Sequence, residues 1–327
     1  MKSLRWGVVI AFAVAVLAVG HVAAAGTTLY LPLLVRDGGV LPNATATVES
    51  GATPAASATP EATATPTQVA SGDETVIYLG DPIRVGGDGA VVSGSTVTIV
   101  DGGSNRVMGT LANGMLAVDT SGDVTLFLDN AETSNSTGPA LYLYEADVAL
   151  VLADGSANVL QDGVAFDDPG AKSALFSNDA LVLTGTGALS VNGVCGHGIA
   201  SDDDVIIDVG QTTISAVTDG IHANDNITIR GGSVRVTGTN DGLESEGGLD
   251  CDQCEIALNG GIVVATSGDN SVPSGSSQQQ VLVMGSVGVG TVILIESAEQ
   301  DVLTFRVDKE YWSLIFTSPD LAANETY

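Results

Sequence analysis

The sequence predicts an all-β chain whose body is a right-handed parallel β-helix, a single-stranded solenoid of about 22–24 residues per coil. Three observations predict it: apolar residues that recur at a fixed interval, strict apolar/polar alternation within each recurrence, and a composition of many glycines and few aromatics.

The interval is clearest between residues 198 and 243, where Gly198-Ile199, Gly220-Ile221 and Gly242-Leu243 fall 22 apart. Val205/Ile227, Ile207/Ile229, Thr212/Val234 and Ile214/Val236 keep the same spacing. One coil earlier Leu175, Leu181, Leu183, Leu189 and Val191 match at 23 to 24 residues, and Val124/Val148, Leu126/Leu150 and Leu128/Leu152 are 24 apart. Ile256, Leu258, Val263 and Ala265 continue the pattern after a seven-residue insertion.

Within a coil, Ile227 and Ile229 alternate with Thr228 and Arg230, the two-residue period of a strand. The pattern predicts three short strands per coil, separated by Gly- or Asn-containing turns. One coil cannot bury its inward face, but stacked coils can, and the sheets between them are then parallel. The crossover rule sets a right hand. With 44% apolar residues, 4% aromatics and 41 glycines in 327 residues, the core is built from Val, Ile, Leu and Ala.

Ahead of the repeats the chain divides twice. Lys2 and Arg5 precede an apolar run from Trp6 to Gly20, followed by Ala23, Ala24 and Ala25. This is the layout of a signal peptide over residues 1–25, with an uncleaved membrane anchor as the alternative. Either places the protein outside the cell or on its surface. Residues 26–72 read as a Thr/Pro/Ala-rich linker, in which Thr53-Pro54, Thr59-Pro60 and Thr65-Pro66 recur every six residues and keep the chain extended. A short apolar patch, Leu29 to Val35, carries no assignment. The β-helix domain is expected over 73–327, with a C-terminal cap segment from about residue 281.

Charge narrows the partners. Asp and Glu number 39 against 10 Lys and Arg, which disfavours nucleic acid and anionic lipid and attracts cations. Stacking at 22 residues turns sequence spacing into adjacency of about 4.8 Å. Asn178, Asp202, Asn224 and Glu246 form one column, and Asp179, Asp203 and Asp225 the next. His197, Asp219 and Asp241 form a third, and Ala200, His222 and Glu244 a fourth. Like charges this close repel unless a cation sits between them, and oxygen donors at mixed heights suit calcium. The metal-ligand candidates are therefore Asp179, Asp202, Asp203, Asp219, Asp225, Asp241, Glu244 and Glu246. For any one of them, ordinary turn chemistry of Asp and Asn is the competing explanation.

Tyr142 and Tyr144 alternate with Leu141 and Leu143, which suits either two tyrosines on one outer face as candidates for sugar contact or ordinary strand residues. Arg230 is expected to pair with Asp208 one coil before, whereas Arg235 has no such partner and is the candidate for substrate contact and for the base that a lyase would need. Of the three cysteines, Cys251 and Cys254 suit a local disulfide that leaves Cys195 free. A zinc site joining them to His197 would need residues two coils apart.

The stretches Ala174 to Leu181, Gly198 to Asp204, Asp219 to Asp225 and Asp241 to Ser245, with Leu303-Thr-Phe and Ser318-Pro-Asp-Leu in the tail, carry a resemblance. Over roughly 85–327 the chain resembles the secreted bacterial carbohydrate-binding β-helix proteins related to pectate lyases. The resemblance implies calcium in the helix and binding of cellulose and acidic pectic polysaccharide. The protein is expected to be a monomer, and no residue is assigned to catalysis. A polysaccharide lyase or glycoside hydrolase on the same fold, and a structural surface protein or adhesin, are the alternatives.

Overall fold

A computed structural model describes residues 28–30, 74–145, 148–168, 170–245, 254–296 and 301–323. The expected signal segment, most of the linker, Glu246 and Cys251 lie outside them. The described chain is all-β, with no helix and with mostly parallel sheets. Accordingly, no described helix is long and apolar enough to cross a membrane.

Each passage of the chain lays one strand in each of two sheets. In the larger sheet, Val124–Ser134, Leu181–Gly193, Val205–Ala216 and Ile227–Thr237 follow one another in space, with Val148–Leu152 and Ala157–Gln161 sharing one rung. In the smaller sheet the order is Met115–Asp119, Leu141–Glu145, Ser173–Ser177, His197–Ser201, Ile221–Ala223 and Leu243–Ser245. Neighbouring rungs pair in parallel and in the expected register. Val205 stands beside Ile227 and Ile227 beside Ile256; Ile207, Ile229 and Leu258 form the next column. Val124 pairs with Val148, and Val148 with Leu181.

These columns are buried, and they face Leu141, Leu175, Ile199, Ile221 and Leu243 of the smaller sheet across one core. Burying each such side chain stabilises the fold by about 1.5–3 kcal/mol, so the repeat itself supplies the driving force.

Two expectations need correction. Two of the three strands expected per coil are fused into one long bent strand, as in Leu181–Gly193. The bend is a register shift between Gly185 and Ala188, with Gly185 at φ 101°. A left-handed glycine turns the strand there without ending its hydrogen bonding. A similar shift after Ile207 places Asp208 opposite Gly231 rather than Arg230, and Asp208 and Arg230 form no ion pair among the described residues.

The ends depart from the parallel pattern. Ala90–Ser93 and Thr96–Ile99 form an antiparallel pair at one end of the smaller sheet. At the other end of the larger sheet, Tyr311–Thr317 runs antiparallel between Ile262–Ser267 and Gln280–Val287. Behind it, Val281, Val283, Phe305, Leu314 and Phe316 build a second apolar cluster. Thr28–Tyr30, from the unassigned apolar patch, pairs in parallel with Gln280–Leu282. Antiparallel strands thus end the parallel ladder at these two places.

Candidate metal centre and binding cleft

The site is built from a step that recurs on three rungs of the smaller sheet: His197-Gly-Ile-Ala200, Asp219-Gly-Ile-His222 and Asp241-Gly-Leu-Glu244. Ile199, Ile221 and Leu243 pair in register and point into the core. Strand alternation therefore turns Ala200, His222 and Glu244 outward in one column. The residue before each glycine sits at the strand entrance. The Gly198 amide donates to the Asp219 carbonyl at 3.0 Å, and that of Gly220 to the Asp241 carbonyl at 2.9 Å. Glycine is required there because a Cβ at Gly198 would strike Ile214, and one at Gly220 would strike Val236.

This backbone merges two columns into one cluster. Asp219 Oδ2 lies 2.8 Å from His197 Nδ1 and 3.5 Å from His222 Nδ1. His222 Nδ1 lies 3.3 Å from Glu244 Oε2. The two imidazole rings are 4.7 Å apart, tilted by 32°. Asp219 Oδ1 accepts the Asp241 amide at 3.1 Å, which fixes the carboxylate. Single carboxylate oxygens of Asp219, Asp241 and Glu244 come within 4.8 Å of one another.

Electrostatics follow from this crowding. Burial pushes the Asp219 carboxyl up, but hydrogen bonds from His197, His222, Glu244 and the Asp241 amide outweigh it and hold Asp219 well below the usual range. Burial, and then the hydrogen bond and charge of Asp219, push Glu244 up to about 8. Burial lowers His222, yet its bonds to Asp219 and Glu244 win and raise it. Asp219 thus carries the charge, and Glu244 holds a proton beside it.

The cluster opens into a cleft of about 430 Å³ whose wall includes Lys172, Phe176, Asp202 and Asn224. Phe176 also belongs to a small apolar cluster on the same face of the sheet with Tyr142, Ala171 and Ala200, in which Tyr142 and Phe176 are largely buried and Tyr144 partly so. Tyr142 and Tyr144 stack at 3.7 Å, and Phe176 meets Tyr142 edge-on at 5.3 Å. Leu141 and Leu143, between the tyrosines, are in the core. Tyr142 Oη donates to Asn178 Oδ1 at 3.4 Å, and Asn178 Nδ2 donates to the Tyr144 carbonyl at 3.0 Å.

Beside the cleft runs the acidic ladder. Asn224 donates to Asp202 at 3.3 Å across one rung. The Asp225 amide donates to the Asp203 carbonyl at 3.2 Å, and Ser201 Oγ to the Asp179 carbonyl at 2.9 Å. Burial, then the charges of Asp225, Asp179, Asp204 and Asp202, push the Asp203 carboxyl up. Burial also raises Asp202, against the opposing charges of His222 and Lys172. The ladder offers oxygen donors spread along one edge, whereas the carboxylate oxygens that come within 4.8 Å of one another are those of Asp219, Asp241 and Glu244.

The sequence candidates therefore separate. Asp179, Asp202, Asp203 and Asp225 belong to the ladder, while Asp219, Asp241 and Glu244 share their site with two imidazoles. Arg235 is not the free cation expected. It bonds Asp308 at 3.0 Å and lies over the Phe305 ring, on the larger sheet and away from the cleft wall. Asp308 belongs to the antiparallel tail, outside the repeat, so column matching could not find it. Cys195 is a free thiol and Cys254 is disulfide-bonded. Column matching set His197 beside Asp219 and His222 beside Glu244, but it missed the Asp219–His222 contact that joins the two columns, the histidines as ligand candidates, and Lys172 as part of the wall. The three-residue offset from Asp219 to His222 was the available signal.

The family model of the carbohydrate-binding domain-containing proteins matches residues 93–304. The chain belongs to this family. A carbohydrate-binding domain-containing protein of Acetivibrio thermocellus is 31% identical over 159 residues, covering 45% of this chain and 56% of that relative. The chain thus spans about half the length of that family member. A solved structure, the polysaccharide lyase-like protein from C. thermocellum as a gadolinium derivative, is similar in fold. It has a TM-score of 0.54 at 24% identity and covers 62% of this chain and 94% of its own. Both the ladder and the cluster lie inside the family region.

Proposed function

We propose that this protein is an exported, calcium-assisted polysaccharide-binding protein, its stacked rungs forming a right-handed parallel β-helix. The observation that carries the reading is Phe176, which belongs to the Tyr142–Tyr144 patch and lines the acid-walled cleft. An apolar platform continuous with polar and charged groups is what a sugar ring needs, because the ring has an apolar face and a hydroxylated edge. Family membership supports the carbohydrate, and the N-terminal apolar segment supports export.

Calcium would be held by Asp179, Asp202, Asp203 and Asp225, supplying positive charge for an acidic sugar. Affinity electrophoresis through pectate and through cellulose, in chelator and in millimolar calcium, tests the reading. Retardation that needs calcium for pectate and falls on Phe176→Ala supports it. Mobility unaffected by either polysaccharide would overturn it and leave a structural surface protein.

A second reading rests on Lys172, a cation in the same cleft as Asp202. A lyase needs a base beside its calcium, and release of unsaturated product from pectate, abolished by Lys172→Ala, would favour catalysis over binding alone.

A further inference from the structure

We propose that His197, Asp219, His222 and Glu244 form a binding site for a first-row divalent transition metal ion of the zinc class, separate from the oxygen-only ladder. Donor chemistry is the first argument. Two imidazole nitrogens and two carboxylate oxygens face one another, and imidazole suits zinc, copper or nickel whereas calcium takes six to eight oxygens. Burial is the second. Asp219 is only 3% exposed, and its Oδ2 is directed at both rings.

Size is the third. Zinc-to-ligand distances of about 2.0–2.1 Å in a tetrahedron put neighbouring donors about 3.3 Å apart. Along His197–Asp219–His222–Glu244 the successive separations are 2.8, 3.5 and 3.3 Å, close to that spacing, and the donor atoms of His197, Asp219 and His222 all lie within 4.8 Å of one another. The ligands stand on three successive rungs, and the Asp241 amide on Asp219 Oδ1 leaves Oδ2 turned to the rings. That support from behind the ligand is what holds a metal site in shape. The cleft beyond supplies the route in, and Asp241, within reach of Asp219 and Glu244, lies where a further ligand would stand.

Cobalt(II) is the probe, titrated into the full chain after chelator treatment. The expected result is one equivalent of tight binding, with the intense visible absorption of low-coordinate cobalt and imidazole-shifted bands. Zinc displaces it at stoichiometric amounts and millimolar calcium does not. His197→Gln and His222→Gln each weaken binding by more than about tenfold, because losing a ligand costs at least as much as losing an outer partner. Far-ultraviolet circular dichroism verifies the fold of each variant, and Asp208→Asn on the larger sheet leaves the titration unchanged. Only weak, octahedral-type absorption, competition by calcium at equal concentration, or unchanged affinity in both folded histidine variants overturns the proposal. The calcium-dependent thermal shift of the ladder is read separately and persists in both histidine variants whichever way this test falls.

Discussion

His197 and Asp219 are 22 residues apart in sequence, yet their Nδ1 and Oδ2 atoms lie 2.8 Å from each other. Stacking of consecutive rungs accounts for the contact, and the glycine after each residue lets the backbone approach closely enough to make it.

Asp219→Ala should therefore destabilise the metal-free protein by roughly 2–3 kcal/mol, because it strips His197 and His222 of a partner and orphans the Asp241 amide. Urea denaturation in chelator measures this. A midpoint within error of the parent protein would contradict the buried pairing.

Stability should also depend on pH with a defined sign. Glu244 is raised from 4.5 to about 8, so the folded chain holds a proton that the unfolded chain releases. Its contribution is complete below pH 4.5 and is lost as pH rises through about 8. The raised His222 acts in the same direction. Asp219, held below 3.8, contributes above that pH and its share is lost on acidification. In chelator the melting temperature should be higher at about pH 5.5 than at about pH 8.5, and Glu244→Gln should flatten that slope. A melting temperature that climbs over this range would refute the assignment.

Calcium should raise the melting temperature in proportion to the logarithm of its free concentration once the ladder is saturated. At about a thousand times its dissociation constant the gain is about 4 kcal/mol. Asp203→Ala should shrink the shift, whereas Asp208→Ala, on the larger sheet, should not. Equal shifts in the two variants would remove the ladder from calcium binding.

The rungs themselves can be tested at Ile229 and Gly220. Ile229 is wholly buried between Ile207 and Leu258, so Ile229→Ala should cost about 2–5 kcal/mol, and Thr228→Ala on the opposite face no more than about 0.5 kcal/mol. Gly220→Ala, which drives a methyl into Val236, should cost about 1–3 kcal/mol. Thermal or urea unfolding reads all three.

How much of this was legible varies by residue. Val205, Ile227 and Ile256 could be aligned from spacing alone because one hydrogen-bond register repeats from rung to rung. The outward set of Ala200, His222 and Glu244 followed from the same register and the alternation of a strand. The bend at Gly185 was not legible, since a glycine serves in tight turns as well as in bulges. Nor was the Arg235–Asp308 bond, whose partners are 73 residues apart and one of which lies outside the repeat.

The sequence by itself determined the all-β class, the rung spacing, the inward columns and the acidic edge. Each of these depends only on periodicity, which local geometry converts directly into position. Tertiary structure decided that the His197–Asp219 column curls toward the His222–Glu244 column, that Phe176 joins the tyrosines to the cleft, and that the antiparallel tail occupies Arg235. Those outcomes depend on the angle at which the chain enters each strand and on contacts between segments distant in sequence, neither of which a repeat period encodes.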